Sequence, residues 1–557
     1  MRKRRKPARD SGSKKIAPVE QGVIIKKGRG LIKAALAYPN TYTAGMSSLA
    51  FQTVYRIANQ IPHVACERVF LPDPKEKGGQ PKSIESGLTL DQFDVILFSI
   101  SFENDFLHVV QLLDTAGIPM RSSDRTPLHP LVVAGGVACF LNPEPIAPFI
   151  DCFLLGEAEC LLDHFFEKIS HKSDKTALLQ TLEKKLPGAY VPCLHPLKTP
   201  FQIQVQYLDN LDAVTTSTCI LTSGTVFKDT FLIETLKGCP HGCRFCSAGF
   251  IYRPPRIYPV KNIYAAIDTA SGKTDRIGLV SSAIADHPDI TDICTYGQQH
   301  NFTLSFSSLR ADKLTDELID ALTRSRVKTA TIAPEAGSER MRNIINKKMT
   351  DHDILSATQR LVNAGIINLR LYFMIGLPFE QDQDIHAIVE LTKKIKSVFL
   401  EVSKKKKKIG IITLSVNPFI PKPCTPFQWC AMADETVLKK RVRIIQQGVK
   451  KIANVTVNVA SLRIAKIHAL LSRGDRKTAN LIESAAKQGW SSVIKQNSAY
   501  CHDIIYQEKP IDHPLPWDFL DNRVKKDFLA REFMRAKQEK KSPSCPMIDC
   551  KVCKTCI

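Results

Sequence analysis

At 557 residues, with 44% hydrophobic and 24% charged residues, the chain is too long for a single core and is composed like a soluble globular protein, so two or three packed domains are expected. No uninterrupted apolar stretch is long enough to span a bilayer, and the basic start MRKRRKPARDSGSKK runs on to Gln21, Lys26 and Lys27 without the apolar centre of a signal peptide; this points away from a membrane and towards the cytoplasm. The formal charge of +22 suggests a polyanionic partner, but most of the excess lies in residues 1–15, the run Lys404–Lys408 and residues 521–557, where solvated bases bind polyanions weakly by counterion release.

Residues 1–23 read as a basic, disordered tail. From about residue 24, short apolar runs alternate with amphipathic stretches. LIKAALAYP at 31–39 predicts a strand and MSSLAFQTVYRIANQ at 46–60 a helix. FDVILFSIS at 93–101 predicts a second strand, DFLHVVQLLDTAG a helix ending at Gly117, HPLVVAGG a third strand running into Gly135 and Gly136, and FIDCFLLGEAE at 149–159 a fourth. Alternation of this kind predicts a doubly wound, Rossmann-like α/β domain over residues 24–195.

A connector over 196–230 leads to a second alternating series. Strands are predicted near 231–236, 276–281, 302–308, 328–333, 368–375 and 410–416, with helical stretches such as TDELIDALTRS and DILSATQRLVNAG between them. Six βα units predict a partial (β/α)6 barrel of TIM type over 231–430. The run Lys404–Lys408 reads as a solvated loop before the sixth strand. Residues 431–541 read as mainly helical, with helices at 435–452, 462–473 and 523–540, and residues 542–557 form a cysteine-rich tail.

Seventeen cysteines are many for a reducing compartment until they are mapped. Ten are scattered among apolar neighbours and read as buried, inert thiols. The other seven fall in two tight groups, which favours metal over disulfide. The first group follows the first barrel strand in FLIETLKGCPHGCRFC, as Cys239-x3-Cys243-x2-Cys246. A loop leaving the C-terminal edge of that strand turns three thiolates toward one point, enough to hold three irons of a cubane and leave the fourth open to a chelating amine and carboxylate.

This motif and its flanks resemble the radical S-adenosylmethionine (SAM) superfamily. The resemblance implies a [4Fe–4S] cluster on Cys239, Cys243 and Cys246, reductive cleavage of SAM to a 5′-deoxyadenosyl radical, and a reductant such as flavodoxin or ferredoxin. It also implies cofactor contacts beyond successive barrel strands. Phe245 takes the aromatic position near the adenine. Ser281 and Ser282 stand where the superfamily usually offers Gly-Gly-Glu to the methionine amine. Ser307 and Arg310 suit ribose hydroxyls or the methionine carboxylate, Glu335 and Ser338 follow the fourth strand, and Gly376 and Pro378 in MIGLPFE resemble the adenine-contacting turn.

Further runs, among them YPNTYTAGMSSLAF, AGGVACFLNPEPIAPFIDCFLLGEAE, APEAGSERMRNIINK and VNPFIPKPCTPFQW, resemble one branch of these enzymes that carries a cobalamin-binding-like N-terminal domain. Residues 24–195 contain no Asp-x-His-x-x-Gly run to supply a lower-axial histidine, so any cobalamin is expected to lack a protein imidazole, and a degenerate, structural or substrate-docking domain is the favoured expectation. The second cysteine group, Cys545, Cys550, Cys553 and Cys556, ends the chain; a second iron–sulfur cluster and a zinc site both fit it.

Two classes of function follow. The first is a radical SAM enzyme, with RNA methylthiolation or methylation as candidate reactions on an unassigned substrate. The second is a nucleic-acid-binding or scaffold protein with a structural cluster, supported by the basic tail and the missing Gly-Gly-Glu.

Overall fold

The computed structural model of the protein describes residues 19–72, 79–169, 174–196, 201–306, 309–405, 408–547, 550, 552, 553 and 555. Most of the basic tail, Ser307 and Cys556 lie outside the described residues.

The N-terminal sheet has six strands in the spatial order Val64–Phe70, Ile32–Tyr38, Val95–Ser99, Leu131–Gly135, Cys152–Leu154 and Ala189–Tyr190, parallel except for the last. Its strands alternate between two cores. Ala34, Leu36 and Tyr38 pack with Phe51 and Tyr55 of helix Leu49–Gln60 and with Leu161 and Phe165 of helix Ala158–Ile169. Ala35 and Ala37 face the other way, into a core with Phe106, Val109 and Leu113 of helix Phe106–Thr115 that continues into the barrel. Burial on both faces explains why the central strands read as near-continuous apolar runs.

The strand Val64–Phe70 was not expected from the sequence, because Glu67 and Arg68 interrupt its apolar run. Arg68 is wholly buried and pairs with Glu20 and Glu85, each at 2.6 Å, so the charge that hides the strand is neutralised inside the domain. With this strand present, the chain reverses its winding direction between Ile32–Tyr38 and Val95–Ser99. In open parallel sheets the crevice beyond such a reversal is the usual ligand position.

All six predicted barrel strands form: Phe231–Lys237, Arg276–Ser281, Thr303–Phe306, Thr329–Glu335, Asn368–Ile375 and Ile412–Pro418. A seventh, Val455–Val459, adds in parallel to the sixth, beyond the expected end of the barrel. The strands form two four-stranded sheets, in which Arg256–Ile257 pairs antiparallel with the first barrel strand. An isolated parallel bridge pairs Leu309, beyond the third strand, with Ile332 of the fourth, and among the described residues no ladder closes the seventh strand onto the first. Of the lysine run read as a loop, Lys404 and Lys405 are helical, and Lys406 and Lys407 lie outside the described residues. Helix Asp382–Lys405 extends through Lys404 and Lys405, which sit where bases complement the negative end of a helix.

The C-terminal helices Leu462–Arg473 and Thr478–Gln488 pack against the N-terminal domain. Asn142 Nδ2 donates to the carbonyls of Ser472 (3.1 Å) and Gly474 (2.8 Å), and Arg476 pairs with Glu144 at 2.9 Å. No helix among the described residues is long and apolar enough to cross a membrane.

Gly136, just past a central strand, has φ +100°, and a Cβ there would stand 2.5 Å from the carbonyl oxygen of Ile100. Gly136→Ala is therefore expected to lower stability by about 2–4 kcal/mol, seen as an earlier urea midpoint. Gly117→Ala, at φ +72° with open space around its Cβ, should cost only about 1 kcal/mol.

Candidate active site at the mouth of the barrel

The first barrel strand ends at Gly238, whose φ of +83° turns the chain into the cysteine loop; a Cβ there would meet the Tyr252 carbonyl at 2.8 Å. The Cys246 amide donates to the Cys243 carbonyl at 3.0 Å, which folds the loop back on itself. From the fourth βα unit, the Ile345 carbonyl accepts the Arg244 amide at 3.0 Å and Asn346 Nδ2 donates to the Gly242 carbonyl at 3.0 Å.

Cys243 is buried, and Cys239 and Cys246 are half-buried. Burial, followed by the nearby Cys243, pushes the Cys239 thiol up to about 12 and the Cys246 thiol to about 11, so both stay protonated until a metal displaces the proton. Among the described residues, no three His, Cys, Asp or Glu side chains converge as around a single ion. In a cubane each thiolate binds its own iron, so three neighbouring soft donors on one buried loop suit that group.

Two of the predicted cofactor residues join the thiols. Arg310 lies within electrostatic reach of Cys239 and Cys243, and its guanidinium is fixed by Asp312 (3.0 and 3.1 Å) and the Lys347 carbonyl (2.8 Å). Glu335, at φ +68° on the end of the fourth strand, faces Lys347 at 3.4 Å, and both bear on Cys246.

Ser281 and Ser282 line a neighbouring cavity, where Ser281 Oγ accepts from the Ala283 amide at 3.0 Å. Phe245 is half-buried against the main core. Ser338 caps helix Glu339–Ile344, accepting from the Met341 amide at 3.0 Å and donating to Asp384 at 2.5 Å. Gly376, at φ +81°, leaves room for Leu438 and Ala433, which a Cβ would approach to 2.8 and 2.9 Å. Its amide donates to Glu380 (2.7 Å), which pairs with Arg441 (2.6 Å), so this glycine and the half-buried Pro378 shape a turn braced by helix Glu435–Val449.

Beside the loop, at the winding reversal of the N-terminal sheet, lies a cavity of about 450 Å³. Leu36, Leu97, Val133, Leu154 and Phe140 line it from one domain; Glu234, Lys237, Gly238 and Tyr252 line it from the other. Its polar corner was not identified from the sequence, although Glu234 and Lys237 stand out as charges in an apolar strand. Lys237 lies 3.3 Å from Glu159 and 3.8 Å from Glu234, while Tyr258 donates to Glu234 at 2.8 Å. Desolvation works against the Lys237 ammonium, but the surrounding carboxylates hold it well above its ordinary range.

Arg244 was also missed. Its side chain is wholly buried and reaches Glu532 (3.1 Å), the carbonyls of Asn343 (3.2 Å), Ile344 (2.7 Å) and Lys540 (2.8 Å), and Ser542 Oγ (3.0 Å). Its only visible signal was an Arg set between two cysteines of the motif. His241, likewise unassigned, is buried and bonds Asp286 at 2.8 Å.

Residues 50–192 match the family described as radical SAM proteins, N-terminal, and residues 233–392 match the radical SAM superfamily. An uncharacterized protein of Methanocaldococcus jannaschii is 30% identical over 453 residues, covering 81% of this chain and 90% of that protein. Among solved structures, the radical SAM methyltransferase TsrM from Kitasatospora setae, with cobalamin and a [4Fe–4S] cluster bound, aligns with a TM-score of 0.50 at 11% identity, over 84% of this chain and all of that one. The cobalamin-dependent SAM radical enzyme OxsB aligns with a TM-score of 0.46 at 14% identity, over 85% and 72%.

Removing the Arg244 side chain leaves the buried Glu532 with only Arg535, at 3.9 Å, as a cation and strips four further hydrogen bonds from the segments that meet there. Arg244→Ala is expected to cost about 3–5 kcal/mol locally, read as faster amide exchange in residues 239–246 and 540–547 with the N-terminal domain unchanged. Unaltered exchange in both segments would show that the guanidinium does not clamp them.

Proposed function

The chain is an enzyme of the radical SAM superfamily, and we propose that Cys239, Cys243 and Cys246 hold the [4Fe–4S] cluster with which it cleaves SAM. The observation that carries this reading is the loop itself, which sets three buried or half-buried thiols beside Arg310, Glu335 and Lys347. When bound, the cluster supplies the electron that breaks the sulfonium bond, giving methionine and a 5′-deoxyadenosyl radical. That electron comes from a reduced flavodoxin or ferredoxin. The alternative of a scaffold with a structural cluster gives way to family membership.

The chain's own residues bind and orient. Arg310, held by Asp312, offers a fixed cation to the methionine carboxylate. Glu335, opposite Lys347, offers an acceptor to the methionine amine, in place of the Gly-Gly-Glu stretch that the second strand lacks. Gly238 belongs to the cavity wall and Cys239 follows it, so a substrate in the cavity lies next to the cysteine loop. The largely apolar lining suits a compact molecule with one polar end. An RNA undergoing methylation or methylthiolation would have to enter as a single extruded base.

A second reading concerns cobalamin, which the structurally similar TsrM binds. The cavity's place at the winding reversal is where a cofactor would dock in this domain. No described histidine lines it: His108 Nδ1 is engaged at 2.9 Å with the Pro39 carbonyl, His195 bonds Glu183, and His63 precedes its strand at the opposite sheet edge. Any cobalamin here is therefore bound without a protein imidazole.

Two measurements follow. Cys243→Ala should abolish formation of 5′-deoxyadenosine from SAM under anaerobic reduction while leaving the circular dichroism spectrum largely intact; full cleavage by this variant would overturn the assignment. Protein loaded with hydroxocobalamin and reduced to Co(II) should show no nitrogen superhyperfine splitting from the chain, and a splitting lost on replacing His108 would refute this.

A further inference from the structure

The reading above leaves the tail cysteines unused. After helix Lys526–Lys537 the chain crosses to the cysteine loop and is fastened there. The Ser542 amide donates to Asn346 Oδ1 at 2.9 Å, the same Asn346 whose amide nitrogen holds Gly242. Lys348 Nζ reaches Ser544 Oγ at 3.1 Å. The Cys545 amide donates to the Pro240 carbonyl at 2.7 Å, one residue beyond Cys239.

A tail of this length has no core of its own, yet Cys545 is 9% exposed and Cys553 2%. Cys550 and Cys553 both bear electrostatically on Cys545, although the three described thiols do not converge as around a single ion. Arg253 stands beside Cys545 and Cys553, its guanidinium lying over Phe250 at 5.1 Å and Phe528 at 5.3 Å. A buried cation braced between two rings and turned toward clustered sulfurs suits a group of net negative charge.

We propose that Cys545, Cys550 and Cys553 bind a second [4Fe–4S] cluster, seated against the outer side of the barrel's cysteine loop. Cys556, which lies outside the described residues, completes the set of four in sequence. Spacing favours iron–sulfur over zinc without excluding either, and the metal content is what separates them. Structural zinc sites take two close pairs separated by a longer segment. Here three cysteines follow one another at x2 intervals with the fourth five residues upstream, a run of the kind that cubane clusters use. Assembly of the tail cluster then fixes Cys545, and through its bond to Pro240 steadies the loop. The proposal relies on the function argued above only for what the neighbouring loop holds; the tail thiols and their packing stand without it.

The test is iron and zinc per chain, with Mössbauer spectra, in anaerobically reconstituted full-length protein, in the Cys550→Ser/Cys553→Ser variant and in a Cys239→Ala/Cys243→Ala/Cys246→Ala variant. The expected result is about eight irons in the wild type and about four in each variant, a twofold loss, with the cubane signal retained in both. Circular dichroism verifies that each variant is folded, and the half-buried Cys550→Ser alone provides a milder substitution with the same expected direction. About four irons in the wild type, all kept by the tail variant, would overturn the tail site and leave the barrel site standing. About four kept by the barrel variant and lost by the tail variant would do the reverse. One zinc per chain, lost from the tail variant with iron unchanged, would also overturn the proposal.

Discussion

The arrangement depends on one buried guanidinium. Each of the five N–H groups of Arg244 has an acceptor: Nε bonds Glu532, Nη1 bonds the Asn343 and Ile344 carbonyls, and Nη2 bonds the Lys540 carbonyl and Ser542 Oγ. These partners come from the fourth βα unit, the last helix and the tail, while Arg244 sits between two cysteines of the loop. A charge buried this completely is tolerable only with full hydrogen bonding and a counterion, and both requirements hold only when the three segments meet. The conformation of the cysteine loop is thus set from outside the loop, by residues about 100 and 290 positions away in the chain.

That dependence separates what was legible in the sequence from what was not. Strands buried on both faces, such as Ile32–Tyr38 and Val95–Ser99, read directly as apolar runs, and the cysteine spacing announced its chemistry. Val64–Phe70 was hidden because its stabilising charge pairs with Glu20 and Glu85, which lie far from it in sequence or across a turn. Arg244, Asn346 and Glu532 carry no local signal, since each acquires its role only through long-range contact.

Ser338 has a role that its local sequence does show. Its setting before Glu339 and an amphipathic turn is the local signature of a helix cap, and capping is what the hydroxyl does. Gly376 was expected at the right turn but for another reason, since it makes room for Leu438 and Ala433 as well as bending the chain.

The net charge of +22 says little about this site, because the charges that matter there are internally balanced. Lys237 is matched by Glu159 and Glu234, and Arg256 by Glu157 at 2.7 Å, at the border between the two domains. The apolar wall of the cavity comes from the N-terminal sheet, and its polar corner comes largely from the first barrel strand, so neither domain alone forms the enclosure. Gly238 belongs to that corner, and the cysteine loop begins at the next residue. The strand that delivers the thiols therefore also supplies the polar groups that orient whatever the cavity holds. Docking of the two domains is then part of the cavity's construction, because separating them would open it to water beside the cysteine loop.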